Sequence, residues 1–172
     1  MTASLKGKDY MVATVHRASN TDNPDNLKTI MSALNETKCN LIFPLHPRTK
    51  KSLESSKLYK NIGNHIKFID PLGYFDMLKL MSNSKKIITD SGGIQKEAYI
   101  LDIPCVTLRD NTEWIETIEA GSNLLVGTNY NKIVSAINSF EGYKGKKNIY
   151  GKGDSSIKIC NIIEEYVNSN LL

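Results

Sequence analysis

Six short apolar or β-branched runs return along the chain, at Tyr10–Val15, Asn40–Leu45, His65–Ile69, Lys86–Thr89, Cys105–Leu108 and Asn123–Val126. Runs this short, apolar at consecutive rather than alternate positions, read as strands buried on both faces. Between them, apolar residues recur at helical spacing: Leu27, Ile30, Met31 and Leu34, then Met77, Leu78, Leu80 and Met81, then Ile94 through Leu101. Pro24 behind Asn23 marks a helix start, because proline lacks only an N–H that has no intrahelical acceptor in the first turn. Strands alternating with helices make βαβ units, which force a parallel sheet covered on both sides. The expected fold is an α/β domain with a doubly wound parallel sheet.

Past Asn131 the pattern turns helical, with Ile133, Val134, Ile137 and Phe140 on one face, followed by a Gly- and Lys-rich loop from Gly142 to Gly153. A last helix is expected over about 155–169, with Ile159, Ile162, Ile163 and Val167 on its apolar side. At 172 residues the chain has the size of one compact domain, so 1–172 is read as a single unit. The net charge of +4 is mild and its lysines are scattered, which gives no basic stripe for nucleic acid. Cys39, Cys105 and Cys160 each stand among apolar neighbours, an arrangement that suits packed, reduced thiols rather than a disulfide frame or a metal site. Neither a signal-peptide core nor an apolar run near the roughly 18 residues of a membrane helix occurs, so a cytoplasmic protein without a membrane partner is expected.

In a sheet of this kind ligands bind beyond the carboxyl ends of the strands. After the fourth strand comes Thr89-Asp90-Ser91-Gly92-Gly93-Ile94-Gln95-Lys96-Glu97. Two glycines let the backbone approach a ligand, and the free N–H groups of the following helical turn, with the Ser91 hydroxyl, suit a phosphate. Glu97, about one turn further, is placed to accept both hydroxyls of a ribose. The same residues also read as a tight turn with a serine cap and a solvated glutamate. They match neither a P-loop nor a GxGxxG fingerprint.

His16 and Arg17 follow the first strand, and His46 and Arg48 follow the second. A fixed guanidinium fork and an imidazole both suit an oxyanion; either histidine alone reads better as a helix cap or a core-edge residue, and it is the repetition at two strand ends that favours an anionic ligand. His65 lacks such company and is assigned to structure. The Asp70-Pro71-Leu72-Gly73-Tyr74 turn, with Met77 beyond it, is suited to wall a flat base or simply to pack. In Leu108-Arg109-Asp110-Asn111-Thr112-Glu113-Trp114, Arg109 is expected to pair with Asp110, Thr112 to cap the next helix, and Trp114 to pack.

Taken in order, Thr14-Val15-His16-Arg17 with Asn20-Thr21, Pro44-Leu45-His46-Pro47-Arg48-Thr49, Asp70-Pro71-Leu72 with Tyr74, Thr89 through Ala98, and Pro104 through Glu113 resemble one family. It is the C-terminal domain of the non-hydrolysing UDP-N-acetylglucosamine 2-epimerases, and the resemblance runs from about Tyr10 to Ile163. It implies a Rossmann-like domain equivalent to the C-terminal half of a GT-B fold, interconverting UDP-GlcNAc and UDP-ManNAc for cell-surface polysaccharide without metal or cofactor. By motif, Ser91, Gly92 and Gly93 would hold the diphosphate, Glu97 the ribose, and Leu72 and Met77 the uracil. His16 would contact the phosphates near the sugar and take part in catalysis, while Arg17 and His46 would belong to a second, regulatory UDP-GlcNAc site. Many members have an aromatic residue at the position of Met77, an arginine at that of Trp114 and an acid at that of Lys96. The family reaction eliminates UDP to a glycal-like intermediate and adds it back to the other face of C2, using acids and a base from an N-terminal domain. The resemblance thus implies a partner half in the same or another chain, onto which the last helix would pack, and it leaves room for a homodimer. A stand-alone nucleotide-sugar module and a glycosyltransferase C-domain are the alternative readings.

Overall fold

The computed structural model describes residues 9–143 and 148–170. All six expected strands form: β1 (Met11–Thr14), β2 (Leu41–Pro44), β3 (Ile66–Ile69), β4 (Ile87–Thr89), β5 (Cys105–Thr107) and β6 (Asn123–Leu125). They make one parallel sheet in the order β3-β2-β1-β4-β5-β6, in register at Thr14, Thr89 and Thr107. Chain order reverses between β1 and β4, the place where a doubly wound sheet opens its ligand crevice.

The consecutive apolar residues of each strand divide between two cores. Met11, Ala13, Ile88 and Val106 join one with Leu27, Ile30, Leu34 and Ile133, while Val12, Ile87 and Cys105 join another with Met81, Ala98 and Ile103. Both faces are therefore dry. The first core is closed by α2 (Pro24–Glu36) and α7 (Tyr130–Ser139), the second by α4 (Tyr74–Ser82) and α5 (Gly92–Ile100). Helix α2 starts as expected, with Pro24 in its first turn and the Asn23 side chain accepting from the N–H groups of Asp25 and Asn26.

Three more helices lie among the loops: α1 (Ala18–Thr21), α3 (Pro47–Ser55) and α6 (Ile115–Glu119). The apolar pattern does not announce α3, because it buries only Thr49 and Leu53. Lys86, which reads in sequence as part of a strand, is fully buried just before β4 and donates from Nζ to the carbonyls of Ala136 (3.0 Å) and Ile137 (2.7 Å). Burial lowers its pKa, while the negative end of α7 favours its charge.

The last helix, α8 (Ser155–Asn170), begins where expected and keeps its apolar side in solvent, with Ile162 and Tyr166 65% and 69% exposed. This corrects one expectation: Cys160 is exposed on α8, not packed, whereas Cys105 is buried in β5. Of the Gly142–Gly153 loop, residues 144–147 lie outside the described range. Among the described residues no helix is long and apolar enough to cross a membrane.

Candidate functional site

The crevice is built on a threonine pair. Thr14 and Thr89, side by side at the ends of β1 and β4, share a hydroxyl hydrogen bond of 2.7 Å, and Thr89 Oγ1 also accepts from the Ser91 N–H at 2.9 Å. This holds Ser91 at the mouth of α5. The Ser91 side chain makes no capping bond, so the serine-cap reading is not realised and its hydroxyl remains available. Helix geometry likewise leaves the N–H groups of Gly92, Gly93 and Ile94 without intrahelical acceptors, and they point out of the same end.

Asp90 is the residue that sequence reasoning missed. Wholly buried, it accepts from the backbone N–H of His16 (3.0 Å to either oxygen), from that of Arg17 (2.9 Å) and from Asn20 Nδ2 (3.0 Å). One carboxylate just after β4 thus clamps the loop after β1, and its Oδ1 stands 3.5 Å from His16 Nδ1. A charge at the end of an otherwise apolar strand was the available signal. His16 also faces His46, ring centroids 5.5 Å apart. His46 caps α3, its Nδ1 accepting from the Arg48 N–H at 3.2 Å, and Thr49 Oγ1 donates to the Val15 carbonyl. The histidines from two strand ends therefore meet. His65 Nε2 is buried without a hydrogen-bond partner among the described residues.

The loop between β5 and α6 leans over the glycines. Its arginine does not pair with Asp110: Arg109 grips Glu113 at 2.8 and 2.9 Å and Asn111 at 3.1 Å, because the turn returns position 113 rather than 110 to the guanidinium. Arg17 reaches the same carboxylate at 3.4 Å. A Cβ on Gly92 would lie 3.3 Å from Glu113 Oε2 and 3.5 Å from Trp114 Nε1, so this loop closes one side of the α5 terminus. Thr112 is not the cap residue of α6, a position taken by Trp114; its hydroxyl accepts from the Trp114 N–H and donates to Gln95. Buried Gln95 is the hub here, bonding the Ser91 carbonyl, Thr112 and Asn123. Lys96 lies over both the Trp114 ring (4.6 Å) and the Tyr150 ring (4.8 Å), which gives the half-buried tryptophan a cation–π partner.

Hydrogen bonds from Arg109, reinforced by the charges of Arg109 and Arg17, hold the Glu113 carboxyl down to about 2. A depressed carboxyl contributes stability that is present above its ordinary value of 4.5 and is lost as pH falls from there through about 2. Glu113 is half exposed and screened, so the effect is small. Glu113→Gln is expected to flatten that part of the acid limb in a thermal-melt series against pH, and parallel limbs would remove Glu113 as its source.

Glu97 is half-buried on α5, and burial alone pushes its carboxyl above the ordinary value. Two hydroxyl donors would favour its charged form and reverse that shift. On the turn before α4, Leu72 and Tyr74 are exposed, at 37% and 61%, so core packing does not explain Tyr74, whereas Met77 packs partly on the second core. Helix α4 packs beside α5. A polar recess of about 240 Å³ opens between Arg17, Asn20, Asn26, Arg109 and Thr128.

The chain has counterparts among known proteins. A UDP-N-acetylglucosamine 2-epimerase homolog of Methanococcus maripaludis is 49% identical over 163 residues, 93% of this chain and 46% of its own length. A UDP-2,3-diacetamido-2,3-dideoxy-D-glucuronate 2-epimerase of Pseudomonas aeruginosa is 41% identical over 156 residues, 88% of this chain and 43% of its own length. The crystal structure of the Methanocaldococcus jannaschii UDP-GlcNAc 2-epimerase in complex with UDP-GlcNAc and UDP superposes with a TM-score of 0.85 at 42% identity, over 92% of this chain and 46% of the other. This chain thus spans about half the length of the relatives it matches. The family profile for UDP-N-acetylglucosamine 2-epimerase matches residues 1–164, and with the whole described sheet inside that match, the chain belongs to the UDP-N-acetylglucosamine 2-epimerase family.

Proposed function

We propose that this chain is the UDP-binding part of a UDP-N-acetylglucosamine 2-epimerase, one domain that holds the nucleotide while a second half supplies the acids and base. The observation that carries this reading is the α5 terminus, where free N–H groups and an uncapped Ser91 hydroxyl stand at the point where strand order reverses. Ser91, Gly92 and Gly93 take the diphosphate, Glu97 the ribose, and Leu72 and Met77 line the uracil. His16, at the edge of the same crevice, meets the phosphates near the sugar and serves the departure and return of UDP. Arg17 and His46 form the regulatory position. Glu113 is shared between Arg109 and Arg17, so the two guanidinium groups keep a net positive charge that a regulatory anion can meet.

The recorded complex of the M. jannaschii enzyme with UDP-GlcNAc and UDP supports the ligand class. Calorimetry with UDP tests the site. Loss of one charge-assisted hydrogen bond costs about 1.5–3 kcal/mol, so Ser91→Ala and Glu97→Ala are each expected to weaken binding roughly tenfold to a hundredfold. Unchanged binding in both variants would sink the assignment.

A further inference from the structure

We propose that Asp90 is the positioning residue of His16, holding the imidazole with Nδ1 protonated toward the carboxylate and Nε2 presented on the opposite side, toward the crevice. The inference rests on the reading of His16 as a phosphate-contacting group. A fully buried carboxylate is tolerated only when its lone pairs are satisfied. Oδ2 accepts from the Arg17 N–H and from Asn20 Nδ2, and the His16 N–H is shared between both oxygens. Asn20 is itself fixed by a second bond, to the Leu108 carbonyl at 3.1 Å.

An ionised carboxylate offers about four acceptor positions, and these three donors leave one open. His16 Nδ1 stands 3.5 Å from Oδ1, within ion-pair range and short of a hydrogen bond. Such bonds at catalytic groups are commonly long without ligand and tighten when it binds. The proton on one imidazole nitrogen is fixed by the partner of the other, and Asp90 is an acceptor that no tautomer with a bare Nδ1 can use. His46 provides the contrast. Its Nδ1 accepts from the Arg48 N–H, so its neutral ring carries the proton on Nε2. The two facing rings therefore hold opposite tautomers.

Long-range proton–nitrogen correlation spectra of the ¹⁵N-labelled chain read this directly, with the three histidines assigned through His16→Gln, His46→Gln and His65→Gln. In the neutral state His16 is expected to show a protonated Nδ1 and a bare Nε2, and His46 the reverse. In Asp90→Asn the His16 resonances are expected to move to the average of both tautomers. A wild-type His16 with its proton on Nε2 overturns the proposal, as does an unchanged His16 ring in a folded Asp90→Asn. If that variant does not fold, the wild-type spectrum decides. Added UDP is expected to shift His16 Nε2. No shift, with the tautomers as stated, would sink the nucleotide role of His16 and leave Asp90 as its positioning residue.

Discussion

Gly93→Ala is expected to stabilise the chain while weakening UDP binding at least tenfold. Gly93 is the second residue of α5, its φ lies outside the left-handed region, and a Cβ built on it meets nothing within 4 Å. Alanine is therefore accommodated, and a helix favours it over glycine by up to about 1 kcal/mol. Stability alone gives no reason for glycine here. A phosphate drawn to the α5 terminus does, because its oxygens must approach the first-turn N–H groups to about 2.8 Å, and an added methyl takes part of that space. Losing one such bond costs about 1.5–3 kcal/mol, which is tenfold or more in affinity. The denaturant midpoint should rise as the calorimetric affinity falls. Binding equal to wild type would mean that the glycine pair serves only the turn. Gly92→Ala separates the effects less cleanly, because its Cβ would press on Glu113 Oε2 at 3.3 Å and any gain in helix stability is offset there.

The fold was legible because its signals are local. The central strands are short apolar runs with buried residues on both faces, the edge strands β3 and β6 are only partly covered, and Asn23-Pro24 announces α2 by capping chemistry. Helix α3 escaped because it lies on the surface with two buried residues, too few to make a stripe. The crevice was legible where a motif and a strand end coincide, at Ser91-Gly92-Gly93 and His16-Arg17. What escaped were partners distant in sequence. Arg109 has an acid beside it at 110 and uses the one at 113, a choice made by the turn and not by adjacency. Asp90 and His16 are 74 residues apart and meet only because β1 and β4 are neighbours in the sheet. Gln95, facing Thr112 and Asn123, belongs to the same class, since its partners lie on the next two segments of the sheet edge. Adjacency in a parallel sheet follows the order of strands, which periodicity does not encode.

The chain alone is expected to exchange no solvent deuterium into C2 of UDP-N-acetylglucosamine, and to do so once mixed with an N-terminal half of a family member. Abstracting an unactivated C2 proton needs a base on one face and an acid on the other. On the proposed reading, Ser91, the α5 terminus and His16 supply donors for a departing diphosphate, which serve one side of that transition state only. The docking surface proposed for the second half is the apolar face of α8. Helix α8 holds Ile157, Ile159, Ile162, Ile163, Tyr166 and Val167 between 43% and 69% exposed. Full burial of such a side chain is worth about 1.5–3 kcal/mol, so covering this face supplies several kcal/mol toward association even though each begins partly buried. The double variant Ile159→Glu with Ile163→Glu is therefore expected to lower exchange by the mixed halves at least a hundredfold at matched concentrations, while UDP binding by calorimetry stays at the wild-type value, because the hydrogen bonds that position the α5 terminus come from Thr89, Gln95 and Thr112. Exchange by the chain alone would place the acid and base within these 172 residues and overturn the division of labour. Full exchange by the α8 variant would move the docking surface elsewhere and leave that apolar face to another partner.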